Sequence, residues 1–286
     1  FRSDIDALEV EEKTDLPFKS KHQGFMHACG HDGHMSILLG FASYIANLKT
    51  KKTIVLIFQP AEESPGGAKD IIKSGVFKEY SVEKIFGLHL FPEIEEGKVG
   101  LTDGALMAKV GEFDIKINAI SAHGAMPHKG IDGIYVASEL IQIVQSIVSR
   151  NINPIEGAIV TIGKITGGEA RNILASKVTL NGTMRAFNDE VYDLIKGRLF
   201  DICQGLEKMF SVNIDIEFRD MYPALINNSD LYKFMKSILH IDEIVELEPL
   251  MIAEDFSYYL KEVPGYFYML GTRNEKLGFI HPLHSC

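Results

Sequence analysis

The sequence predicts an α/β fold in which a discontinuous domain, a mostly parallel sheet flanked by helices, is interrupted by an inserted α+β domain with a ferredoxin-like order of elements. Three observations carry this expectation. Short, β-rich apolar runs alternate with helical patterns in the first third of the chain. From about Met107 the strands change to polar and apolar alternation, and after about Arg219 the alternation of helix and strand resumes. The expected boundaries are 1–106 and 219–286 for the discontinuous domain and 107–218 for the insert.

Taken in order, Thr53-Ile-Val-Leu-Ile-Phe58 and Ile85-Phe-Gly-Leu-His-Leu90 read as strands buried on both faces, because neither keeps a regularly polar side for water. Helices over about Met35 to Leu48 and Gly67 to Ser74 flank them. In the insert, Glu112-Phe-Asp-Ile-Lys-Ile-Asn118 alternates as a half-buried strand does. A helix from about Ile131 to Arg150 follows, then strands at Ala158 to Ile162 and Lys177 to Asn181. A second helix from about Asp189 to Phe210 and a strand from Asn213 to Phe218 complete a β-α-β-β-α-β order. Beyond it, Asp230 to Leu239 is helical and Gly265-Tyr-Phe-Tyr-Met-Leu270 is a strand.

Composition narrows the function classes. With 286 residues, 46% of them hydrophobic, the chain can bury the cores of two domains. A net charge of -10 argues against a nucleic-acid partner, which selects for a basic face. No apolar run reaches the roughly 20 residues of a membrane helix and no basic leader precedes an apolar stretch, so the expected location is the cytoplasm. Cys29, Cys203 and Cys286 fit reduced thiols better than a disulfide framework. The absent starting Met and the stop at Cys286, just after a His-rich stretch, lead us to expect a fragment of a longer chain.

Chemistry concentrates in a few places. His27-Ala-Cys-Gly-His-Asp-Gly-His34 puts a thiol and three imidazoles into eight residues, with glycines that let the backbone bend round an ion. The alternative is a partly buried turn. Cys29 and His31 are the ligand candidates; His27 and His34 stand open between ligating and supporting roles, and Asp32 is a candidate to orient an imidazole. Gln59-Pro-Ala-Glu-Glu-Ser-Pro-Gly-Gly67 follows a buried strand, where open α/β sheets form their sites. Of its two adjacent carboxylates, one can ligate a metal and the other can take a proton from water. His89 interrupts an apolar strand and, taken alone, is more often a hydrogen-bonded core histidine. His281-Pro-Leu-His284 and the acids of Ile252-Ala-Glu-Asp-Phe256 are further candidates.

These residues together resemble the aminoacylase and hippurate-hydrolase family of two-metal amidohydrolases, whose relatives include N-acetyldiaminopimelate deacetylases and auxin-conjugate hydrolases. Arg2-Ser-Asp-Ile-Asp-Ala-Leu8, Cys29-Gly-His-Asp-Gly-His34, Glu62-Glu63, Gly87-Leu-His89, Ser121-Ala-His-Gly-Ala125, Gly167-Gly-Glu-Ala-Arg-Asn172, Gly182-Thr-Met-Arg185 and Ala253-Glu-Asp-Phe256 stand in the family's order. The resemblance implies that Cys29, His31, Glu63, His89 and His284 hold two divalent transition-metal ions (manganese, zinc, nickel or cobalt) and that Glu62 is the general base and acid. It also implies that Asn172 and Arg185 contact the substrate, that His123 enters the active site of a partner subunit, and that the insert is a lid and the surface of a homodimer. Glu9 and Ala175 stand where the family has Pro.

The expected function is therefore metal-dependent hydrolysis of an N-acetyl or N-benzoyl amino acid. A dipeptidase or aminopeptidase of the same fold would need a group to recognise a free amine. A non-catalytic metal or ligand binder would have no use for Glu62. Nucleophilic chemistry at Cys29 would need an oriented histidine and no metal.

Overall fold

The computed structural model describes residues 1–63 and 65–274, which form two compact units. The first comprises Phe1–Leu106, Leu225–Pro249 and the chain from Glu254 on; the second comprises Met107–Ala224 with Leu250–Ala253. The chain thus re-enters the first unit at Leu225, six residues later than the sequence boundary at 219, because β-pairing extends past Phe218.

The first unit begins with β1 (Arg2–Asp4), α1 (His31–Ala46), β2 (Ile57–Gln59), α2 (Ala68–Lys73), α3 (Val76–Glu79), β3 (Ile85–Glu95), β4 (Val99–Leu101) and β5 (Ala105–Met107). Only Ile57 and Phe58 of the apolar run from Thr53 pair as a strand, with Gln59 beyond it, because β1, their partner, is three residues long. In the second unit the order is β6 (Lys109–Asn118), α4 (Gly133–Ser146), β7 (Ala158–Gly167), β8 (Lys177–Ala186), α5 (Asp189–Phe210) and β9 (Asn213–Asp220). The chain returns through β10 (Leu225–Ile226), α6 (Ser229–Ile238), β11 (Ile244–Glu246), α7 (Tyr259–Glu262) and β12 (Gly265–Arg273).

The first unit's main sheet has the order β11-β4-β12-β3-β1-β2, and the β12–β4 pair is its antiparallel step. Parallel strands need crossovers, and α1, α2 and α3 are the helices that lie between them in sequence. Leu101, Tyr266, Leu231 and Met235 form one of its apolar clusters, joining β4 and β12 to α6.

The second unit's sheet has the order β7-β8-β6-β9, antiparallel throughout. Phe113, Ile115 and Ile117 alternate along β6 and are buried, while Tyr192, Ile195, Leu199, Ile202 and Leu206 recur at helical spacing on α5; all belong to one core with Val136, Leu140 and Val144 of α4. Asn188 caps α5 by accepting from the Val191 N–H at 2.8 Å, and Asp132 caps α4. The α-helical geometry expected to reach Arg150 stops at Ser146, and Ile147–Asn151 continues as a π-helical turn. Among the described residues no helix is long and apolar enough to cross a membrane.

Candidate active site

In the first unit, candidate residues meet around the carboxyl ends of β1 and β2 and the middle of β3. That is where an open α/β sheet forms its crevice. Gly30 adopts φ 83 immediately before α1, a left-handed turn that seats Cys29 ahead of the helix and His31 on its first residue. The loop after β2 closes on itself. Both Gly66 and Gly67 donate their N–H to the Ala61 carbonyl, at 3.0 and 2.8 Å, and a Cβ on Gly67 would lie 1.9 Å from the Pro60 oxygen. Ala61 itself has φ 56, a costly conformation for a residue with a Cβ, and it directly precedes Glu62 and Glu63.

Three potential ligand groups share His31, one of them with Asp4 and His34. Cys29, His31 and His89 offer donor atoms within 4.8 Å of one another, and so do His31, Glu62 and Glu63. Cys29 Sγ lies 3.4 Å from His89 Nε2. His31 is 1% exposed. Its Nδ1 faces Asp6, 3.1 Å from the backbone oxygen, while the buried Nε2 makes no hydrogen bond among the described residues. Nε2 sits 3.7 Å from Asp4 Oδ2 and 3.9 Å from Glu63 Oε1, too far for hydrogen bonds and suited to donors surrounding a common ion.

Charge points the same way. Arg2 is buried with its guanidinium on Asp4, Asp255 and Glu254, at 2.9, 2.9 and 3.0 Å. Gln59 donates to Asp255 at 2.7 Å, the Ala68 N–H donates to Asp255 at 2.9 Å, and the Tyr259 hydroxyl donates to Gln59 at 2.8 Å. Glu62, Glu254 and Asp255 form a buried acidic cluster against this one cation. Burial, and next the charge of Glu254, push Glu62 up to about 10; burial also pushes Glu254 up to about 8. Burial and then Glu63 push the Cys29 thiol far above its ordinary range, and burial lowers His89 to about 3, so its ring is neutral. A neutral imidazole, a thiol that ionises only against a cation, an unpartnered imidazole nitrogen and surplus carboxylates are a donor set that fits divalent transition-metal ions.

The other histidines of the motif have different work. His34 Nδ1 is 2.6 Å from Asp4 Oδ1, and its Nε2 accepts from the Leu90 N–H at 2.9 Å, so both ring nitrogens are engaged. His27 Nδ1 is 3.1 Å from the Asp6 backbone oxygen. Asp32 is exposed on α1; Asp4 and Asp6 are the acids that hold the imidazoles. Sequence reasoning assigned no role to Arg2, Asp4, Asp6 or Gln59. Arg2 and Asp4 are polar residues in the fully buried β1, and Gln59 is a polar residue buried at the end of β2.

In the second unit, His123 and Asn172 are neighbours. His123 bridges to Ile173, Gly124 donates its N–H to the Asn172 oxygen at 2.7 Å, and His123 Nδ1 accepts from the Ala125 N–H at 3.2 Å. Arg185, on β8 opposite Val110 and Ile159, donates to the Met251 carbonyl. His284 lies outside the described residues.

Comparison with known proteins adds an independent line. A family model described as peptidase family M20/M25/M40 matches residues 1–286. The chain is 41% identical over 283 residues to an N-acetyldiaminopimelate deacetylase of Exiguobacterium sibiricum, covering 99% of this chain and 76% of that protein. It is 42% identical over 275 residues to an N-acetyl-L-cysteine deacetylase of Bacillus subtilis, covering 95% of this chain and 66% of that one. A solved structure described as an aminohydrolase from methicillin-resistant Staphylococcus aureus superposes with a TM-score of 0.88 at 34% identity, over 96% of this chain and 72% of that one. A Bacillus subtilis protein described as a dinuclear metal-binding peptidase of the M20 family gives 0.79 at 29% identity, over 95% and 71%.

Proposed function

Since the chain belongs to peptidase family M20/M25/M40, we propose that it is a metal-dependent amidohydrolase cleaving the amide bond of an N-acyl amino acid, N-acetyl in preference to N-benzoyl. The observation that carries the reading is the set of donor atoms gathered around the buried His31, which brings Cys29, His89, Glu62 and Glu63 to one place. The names of the deacetylase relatives support acetyl over a larger acyl group.

In this reading Cys29, His31, Glu63 and His89, with His284 from the end of the chain, hold two divalent ions. Manganese, zinc, nickel or cobalt suits such donors; magnesium and calcium prefer all-oxygen sites. When bound, the ions polarise the scissile carbonyl and acidify water. Glu62 takes the proton of the attacking water and returns it to the leaving amine nitrogen, so that C–N cleavage releases a neutral amine and a carboxylic acid, which then loses its remaining proton to solvent.

Arg185 is assigned to the free carboxylate of the amino-acid half, for which a planar guanidinium is the matching donor, and Asn172 to the same end or to the developing oxyanion. Because a backbone N–H donates to His123 Nδ1, the neutral ring carries its proton on Nε2, the form a hydrogen-bond donor to an oxyanion requires. We assign His123 to the active site of a partner subunit in a homodimer built through the 107–218 domain, which would also serve as the ferredoxin-like lid.

The test is release of amino acid from N-acetyl and N-benzoyl amino acids and from free dipeptides, by metal-stripped protein with and without added manganese or zinc. Metal-restored cleavage of the N-acetyl set is expected. A folded, metal-loaded protein that cleaves only dipeptides, or nothing, overturns the reading.

A further inference from the structure

A continuous chain of contacts runs from the buried guanidinium of Arg2 to the ring of His89. Arg2 Nη1 donates to Asp4 Oδ2 at 2.9 Å, and Asp4 Oδ1 lies 2.6 Å from His34 Nδ1. The Leu90 N–H donates to His34 Nε2 at 2.9 Å, and His89 Nδ1 lies 2.7 Å from the Leu90 carbonyl oxygen. Beyond it, His89 Nε2 faces Cys29 Sγ at 3.4 Å.

Each end of this chain has a fixed polarity, and the polarity determines where the protons sit. A backbone N–H can only donate, so His34 Nε2 is an acceptor and its neutral ring carries the proton on Nδ1, where Asp4 receives it. A carbonyl oxygen can only accept, so His89 bears its proton on Nδ1 and presents the Nε2 lone pair towards Cys29. The Leu90 peptide joins the two rings, and His34 holds one side of it. The β1–β3 ladder is at Arg2–Gly87, so three residues further along β3 an imidazole takes the amide that a longer β1 would have paired.

We propose that His34 is a positioning residue for His89: anchored by the Asp4–Arg2 pair and acting through the Leu90 peptide, it fixes the plane and the ligating tautomer of a metal-binding histidine. This inference rests on the proposed metal site and adds to it a residue that touches neither substrate nor ion. An imidazole in place of a strand partner gives the histidine that ends the motif a use, since both of its nitrogens are engaged by Asp4 and Leu90. Partners that orient a ligand in this way typically change metal affinity by roughly 10–100-fold when removed.

Two substitutions separate the halves of the contact. His34→Asn keeps a donor near the Nδ1 position for Asp4 but leaves the Leu90 N–H without its acceptor; His34→Gln keeps an acceptor near Nε2 and loses the bond to Asp4. Nitrogen-15 correlation spectra of the imidazole rings in metal-free protein are expected to give His34 and His89 both as Nδ1–H tautomers. Competition with a chelator is expected to give His34→Asn a cobalt affinity lower by about 10–100-fold, and His34→Gln a smaller loss. The visible spectrum of the cobalt-loaded His34→Asn protein should shift as the Cys29 and His89 donors rearrange. An Nε2–H tautomer at His34, or parental cobalt affinity and spectrum in a folded His34→Asn protein, overturns the proposal. A parent protein that takes up no metal overturns the proposed function and this inference with it; a parent that binds cobalt alongside indifferent variants removes the inference alone.

Discussion

Glu62 and His34 each share a donor group with His31 and differ in what their loss should do. Glu62→Gln keeps the size and an oxygen donor but removes the group that moves protons. Turnover of an N-acetyl amino acid should fall by about 10²–10⁴-fold, while the metal content of the purified protein stays at the parental value. Kinetics alongside elemental analysis check this; equal loss of metal and activity would make Glu62 a ligand rather than a base. Much of this neighbourhood was legible in the sequence, because a thiol and three imidazoles in eight residues and two adjacent acids after a strand have few purely structural uses. What spacing could not reveal was the division of labour among the histidines. His31 and His34 are three residues apart on the same helix, and β1 with the residues just after it distinguishes them: Asp4, thirty residues upstream of His34, binds one, and Asp6 faces the other. Arg2 was opaque for the same reason, since its partners Glu254 and Asp255 come from the far end of the chain.

Elements in the second unit were read more accurately than those in the first, and the cause is periodicity. β6 and α5 bury one face each, so their apolar residues mark both the element and its orientation. The strands of the parallel sheet lack that contrast: of the six residues from Thr53 that read as a strand only Ile57 and Phe58 pair, and β3 continues to Glu95 past the apolar stretch because β12 pairs along it. The π-helical turn at Ile147–Asn151 was likewise invisible, as Ile147 and Val148 extend the apolar pattern whichever hydrogen bond is made. The well-read α5 yields graded predictions. Leu199 is fully buried between α4 and the sheet, so Leu199→Ala should cost about 2–5 kcal/mol, whereas Asn188→Ala, losing one capping bond, should cost about 0.5–2 kcal/mol. Urea denaturation followed by circular dichroism checks the order; a larger loss at Asn188 than at Leu199 would contradict the assignment of the core to the α5 apolar stripe.

At the scale of the whole molecule, chemistry and packing are divided between the two units. The described ligand candidates Cys29, His31, Glu63 and His89 lie in the first unit, together with the carboxylates around Arg2, while a continuous apolar core joins α4, α5 and the sheet of the second. The first unit therefore holds a buried excess of negative charge that is relieved either by bound protons, as the high proton affinities of Glu62 and Glu254 indicate, or by cations. Cations that bind only the folded form stabilise it by mass action, about 2.7 kcal/mol at a hundredfold excess over Kd. That gain should be local. Hydrogen exchange read by mass spectrometry, on stripped protein against protein with excess manganese or zinc, should slow in peptides covering β1, α1, the Gly66–Gly67 loop and β3. Peptides from α4, α5, β6 and β8 should exchange at unchanged rates, because their core contains none of the described ligands. Equal protection across both units would mean that the ion is bound elsewhere or that the units unfold only together, and slowing confined to the second unit would remove the Cys29 and His31 site as the seat of the metal.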